Sequence, residues 1–334
     1  MRFGLPLHPL AALGALSFGL VFHIASDWQR RLVVLPSRGD VLYAQDADDE
    51  GDPDGQSKTF QRLRKTPQAA TAEYGFVNFN RDFLTVRFQM PRGAYEKYVQ
   101  DWGYRESDLA GLRAWHEAAN QAAYKTATAK HESQAQFNAD VAALKVQYDQ
   151  KVKDYMTSKS FRFLPGNEIE VDIPKVVHDS IAQLKPLAAA FDQVATQRHY
   201  DSGSIIGAVA SMVQTAIVYK VPPSVNNGVH NGGFWPPLQT ILGGWGDCDT
   251  KTGTLASILG NWAQMRMVGL ALPEHYLLAV LRIPNKGDLF IEYQGLQYIV
   301  VEPAGPAWLP PGTVAEHTQN LLEASQGYRI EPFF

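Results

Sequence analysis

A single cysteine, Cys248, occurs in 334 residues. That excludes an intrachain disulfide framework and any multi-cysteine zinc site. No basic excess is present either. The formal net charge is −4, and "AQDADDEGDPDG" (44–55) holds six acids and no base, which leaves the remainder near +2. Such a balance carries no electrostatic footprint for nucleic acid. Runs long enough for a bilayer are also lacking at the N-terminus: "LAALGALSFGLVF" (10–22) has thirteen residues, whereas a span needs about 20. From Ser107 to Tyr155 proline is missing and glycine appears once, so the usual helix breakers are gone. His116, His131, His178, His199, His230 and His317 have no metal-ligand spacing with one another. No metal and no cofactor is expected.

Residues 1–25 fit a signal peptide or an uncleaved membrane anchor acting through 5–25. His23 stands at the minus-three position relative to Ala25, which weakens a cleavage site there. Export to the periplasm or another extracytoplasmic space is expected, with anchoring in the inner membrane if the segment is retained. Residues 26–73 read as a linker with an acidic run. Asp46, Asp48, Glu50 and Gly51 fall at EF-hand-like offsets, but Ser57 occupies the position that needs a bidentate glutamate. Residues 74–160 read as a strand pair around "NRD" followed by a long helical region. Val141, Leu144, Tyr148, Val152 and Tyr155 mark one apolar face. The polar middle, "KTATAKHESQAQ" (125–136), predicts a projecting helix or a helical hairpin, a natural arm for an envelope protein partner across 107–155. Residues 161–334 read as the functional domain. It begins extended (161–174), continues as a helix over 175–199 broken near Pro186, and then as a second helix from 202.

The chemistry centres on "GGWGDCDTKTGTLASILGNW" (243–262). Asp247 is a good N-cap, and Leu255, Ile258, Leu259 and Trp262 recur at helical spacing, which predicts an amphipathic helix with one buried face. Cys248 then sits in the first turn, where the helix dipole favours a thiolate. Asp247 and Asp249 oppose it, because negative neighbours raise a thiol pKa. Asp249 and Lys251 read as a solvated first turn. His275 begins the apolar run "HYLLAVL", and Glu302 ends the strand "LQYIVVE" of a three-strand meander. A strand start and a neighbouring strand end lie side by side in an antiparallel sheet, so the two can meet. Trp235 and Trp245 flank the cysteine loop, and Trp245 and Gln239 are the candidates for cleft wall and oxyanion donor.

This order, "PLQTILGGWGDCD", a helix, a histidine at a strand start and an acid–proline at a later strand end, resembles the transglutaminase-like superfamily over residues 204–305. Within it the chain is most similar to the bacterial transglutaminase-like cysteine peptidases. The resemblance implies an α+β fold with a papain-like core, in which the cysteine helix packs on an antiparallel sheet beside an N-terminal, largely helical region. It implies Cys248 as nucleophile, His275 as general base and Glu302 as the orienting acid. The activity it implies is thiol-dependent hydrolysis, or acyl transfer, of peptide or isopeptide amides. The chain departs from the family pattern in having glutamate for aspartate at 302 and Thr250 after Asp249. Those departures motivate an alternative: a catalytically inactive binding module of the same fold whose helical arm engages an envelope partner.

Overall fold

The computed structural model describes residues 33–34, 59–166, 168–324 and 327–333. The expected leader over 1–25 and the acidic, EF-hand-like stretch therefore lie outside the described residues. Two compact units emerge, one built from 104–170 with 33–34 and 227–230, the other from 59–103, 171–226 and 231–333.

The first unit is dominated by the helices Glu106–Lys130 and Gln134–Ser158. His131 ends the first helix in the left-handed region, and the Ser133 side chain caps the second by accepting from the Gln136 N–H at 3.2 Å. The polar stretch at 125–136 is thus the corner of a helical hairpin. Inside it the His116 and Tyr148 rings stack 4.7 Å apart, and His116 Nε2 lies 3.2 Å from Asn120 Nδ2.

The second unit starts with a three-stranded antiparallel sheet, β1 (Phe60–Lys65), β2 (Ala69–Val77) and β3 (Phe83–Pro91), in that spatial order. Alternation does the work: Ala70, Ala72, Tyr74 and Phe76 turn inward from β2, and Leu84, Val86 and Phe88 from β3. The linker expected across 26–73 is corrected here, since Val33–Val34 pairs as a short strand with Glu168 and Ile169 and a longer strand begins at Phe60. Its arginines and lysine stay exposed along an edge strand, which hid the β pattern in a polar composition. The strand pair also belongs with the C-terminal residues rather than with the helical region. The Tyr74 hydroxyl donates to the Ile241 carbonyl at 2.6 Å, and the Phe76 and Phe191 rings lie 6.2 Å apart. The chain re-enters this second unit at 171.

Helix α1 (Ile173–Arg198) runs through Pro186 without the expected break, because Leu184, Leu187, Ala188 and Phe191 keep both sides packed in the core. Helices α2 (Ser202–Thr215), α3 (Pro237–Gly243) and α4 (Cys248–Leu259) follow. The chain closes with an antiparallel sheet of β4 (Met267–Ala271), β5 (Tyr276–Leu281), β6 (Phe290–Tyr293), β7 (Leu296–Val301) and β8 (Arg329–Pro332), in the order β6-β7-β5-β4-β8. Helix α5 (Glu316–Glu323) lies between β7 and β8 in sequence. Gln294 and Gly295, with φ of 52° and 74°, form the two-residue turn that closes the β6–β7 hairpin. The expected meander is present and gains β4 and β8. The architecture is α+β, with α4 packed on α1, α2, α3 and β5.

Candidate active site

Every residue of α4 is buried, so the helix is enclosed on all faces rather than amphipathic. Its hydroxyl residues turn back onto the helix: Thr252, Thr254 and Ser257 each donate to the carbonyl four residues earlier, at 2.7 to 2.8 Å. Asp247 caps the helix by accepting from the Thr250 N–H at 3.3 Å. Cys248 is the first helical residue and is 0% exposed. The expected solvated first turn is corrected: Asp249 is buried and Lys251 is 0% exposed. The surrounding helices and β5 override the usual preference of charged side chains for water.

His275 immediately precedes β5, and Glu302 immediately follows β7. The β5–β7 register pairs Leu278 with Val301, which brings that strand start and strand end together. His275 Nε2 lies 3.0 and 3.2 Å from the two Glu302 oxygens. The carboxylate also accepts from the Ala304 N–H at 3.1 Å and the Thr318 hydroxyl at 2.8 Å. A glutamine fixes the backbone beneath it, since Gln214 Nε2 donates to the Glu302 carbonyl at 2.6 Å and to that of Leu309 at 2.9 Å. Burial pushes the Glu302 carboxyl up, but the His275 charge and hydrogen bond, with Thr318 and Ala304, outweigh it and hold the group below the usual glutamate range.

The cysteine reaches the same place through the residue after His275. The Tyr276 backbone N–H is directed at the Cys248 sulfur, and Thr252 Oγ1 lies 2.7 Å from the Cys248 carbonyl oxygen and 2.9 Å from that of Tyr276. Burial, then Asp249 and Asp247, push the thiol well above its ordinary value, while the Tyr276 N–H pulls it down. The site therefore holds a buried thiol whose ionisation is disfavoured, tied through the Tyr276 N–H to the residue that follows the histidine of the buried His275–Glu302 pair.

The cleft candidates fare differently. Trp245 stands just before the helix, paired with Val218 through its backbone and packed ring to ring against Trp235, with centroids 3.6 Å apart. Both indoles are half-buried and the Lys220 ammonium lies 4.6 Å from the Trp245 ring, so they form a wall beside the helix start. Gln239 is buried in α3, and among the described residues no hydrogen bond links its amide to Cys248, His275 or Glu302. An oxyanion role for it has no contact behind it. Lys251, Thr252, Tyr276 and Thr318 are the site residues that sequence reasoning missed. For Lys251 a signal existed, since it follows Cys248 by three and shares its helix face.

Among the described residues no group of three or more His, Cys, Asp or Glu could hold a metal, and no helix is long and apolar enough to cross a membrane. A cavity of about 180 Å³ opens elsewhere, lined by Asn78, Asp201, Gly203, Arg282 and Asp288. Comparison with the models of known protein families, with curated proteins and with solved structures finds no match in any of the three.

Proposed function

We propose that this chain is a transglutaminase-like cysteine hydrolase, or acyl transferase, exported to the cell envelope and acting on peptide or isopeptide amides. The observation that carries the reading is the buried His275–Glu302 pair at 3.0 and 3.2 Å beside a thiol engaged by the next residue's N–H. Glu302 holds Nε2 and so fixes the tautomer that offers Nδ1 as the base. The Cys248 proton passes to Nδ1, and the sulfur attacks the amide carbonyl carbon. The imidazolium then protonates the leaving nitrogen as the C–N bond breaks, giving a thioester. Water, or a second amine, attacks the thioester with His275 again taking the proton, and the acyl group departs from sulfur. Attack requires the sulfur to become accessible, so substrate binding is coupled to opening around the helix start. The test is zymography against candidate envelope proteins, wild type beside Cys248→Ala. Cleavage or cross-linking lost with the thiol supports the reading, and identical products from both chains remove it.

A second reading is favoured by one observation, the complete burial of a thiol whose pKa is raised. It is the inactive binding module, with the hairpin Glu106–Lys130 and Gln134–Ser158 as its arm. Alkylation separates the two. An iodoacetamide rate that rises with an ordinary thiol pKa, and that His275→Ala leaves unchanged, favours the module.

A further inference from the structure

Lys251 is a fully buried lysine whose Nζ has no hydrogen-bond partner among the described residues. It follows Cys248 by three on the same helix, so both side chains project from one face. Its Nζ lies over the Tyr219 ring, 5.9 Å from the centroid. Tyr219 is held there because Gly246, in the strand leading into the helix, pairs with it. An amine kept out of water without a hydrogen bond is costly, and packing alone would be served better by methionine. The groups that act on it are Asp247 from the helix cap, Cys248 from the first turn and Glu302 from the end of β7, with the Tyr219 ring nearby; Asp249 acts on the thiol.

We propose that Lys251 is the positioning cation of the Cys248 thiolate, supplying the counter-charge that lets the sulfur ionise between two aspartates. The inference rests on the thiol chemistry proposed above and adds a residue to it. Burial lowers the lysine pKa to about 7, opposed by Glu302, Asp247 and Cys248. A negative charge on Cys248 favours the charged amine, so ionisation of the sulfur and protonation of the lysine support each other. When the sulfur proton moves to His275, the ammonium offsets a negative charge that would otherwise stand beside Asp247 and Asp249 with only the imidazolium to balance it. Lys251 touches no substrate atom in this scheme and acts through the sulfur.

The experiment is the pH profile of Cys248 alkylation by iodoacetamide in the full chain, for wild type, Lys251→Met, Lys251→Arg and His275→Ala. Opening of the buried site scales the rate at every pH, whereas thiolate formation sets the midpoint, so the midpoint is the readout. Methionine at 251 is expected to raise it by at least one pH unit, about a tenfold loss of rate below the midpoint, while arginine keeps it within about half a unit. A Lys251→Met midpoint equal to wild type overturns the proposal, as does an arginine variant shifted as far as methionine. If the methionine variant does not fold, an arginine variant whose midpoint shifts by one pH unit or more overturns the proposal. A midpoint moved by His275→Ala but not by Lys251→Met sinks the lysine and spares the base. A midpoint moved by neither sinks both.

Discussion

Glu302 shows what one buried carboxylate needs. It is 1% exposed, and its oxygens take up His275, the Ala304 N–H and the Thr318 hydroxyl. Removing the charge strands a buried imidazole, so Glu302→Gln is expected to cost about 3 kcal/mol, the range for breaking a buried pair. Its folded pKa lies below the unfolded one, so the stability it contributes is present above about pH 4.3 and drains away as pH falls through the lowered folded value. Urea unfolding at pH 7 and pH 3.5 should find the glutamine variant less sensitive to acid than wild type. Lys251 has the opposite sign. Its folded pKa of about 7 lies below the unfolded 10.5, so its burden on the fold is full below pH 7 and gone above pH 10.5. Lys251→Met is therefore expected to stabilise the protein by roughly 3–5 kcal/mol at pH 6 and by little at pH 11, read from the same urea curves. A gain that disappears at high pH would mark a stability cost retained for function. Cys248, His275 and Glu302 were legible because each sits at an element end that local pattern identifies. Lys251 and Asp249 were not, because their burial comes from helices and a strand far away in sequence.

At the scale of elements, α4 is the decisive piece, and Gly253 sits in its middle. A Cβ there would stand 2.9 Å from the Phe234 ring and 3.8 Å from Ile173 Cγ2. Helix propensity favours alanine over glycine by about 1 kcal/mol. The clash opposes it, and Phe234 is itself fully buried and held against Trp102. Gly253→Ala should therefore destabilise, by about 1–3 kcal/mol, as overpacking does in a dense core. A thermal melt with a raised midpoint would contradict this. The location of the helix was legible from its cap and its leucine–isoleucine spacing, whereas its full enclosure was not. The hydroxyls at 252, 254 and 257 look like a solvent face until their back-bonds to the helix carbonyls are seen, and that of Thr250 until the Trp235 N–H is found donating to it. The β1 strand was hidden for a related reason, since an edge strand can carry arginine and lysine on its open side. Pro186 misled in the other direction, because packing on both sides carries α1 through it.

For the whole molecule, chain order was a poor guide to assembly. The strand pair adjoins the helical region in sequence yet shares its core with residues more than a hundred positions later. The hairpin bears no site residue, and its titration differs from that of the site. His116 is buried against Tyr148, and burial lowers its pKa, with Asp149 opposing and Lys145 assisting. A histidine depressed in the folded state binds fewer protons than in the unfolded one, so stability falls as pH drops below about 6.5. Between pH 6 and 5 neither Glu302 nor Lys251 imposes such a slope, since one has already ionised and the other has already reached its full cost. Amide exchange, corrected for its intrinsic pH dependence, should therefore speed up across Glu106–Lys130 and Gln134–Ser158 as pH falls over that range, while Cys248–Leu259 keeps its protection. His116→Phe should abolish the difference by removing the group that titrates. Loss of protection in both regions together would contradict this assignment of the pH dependence to His116.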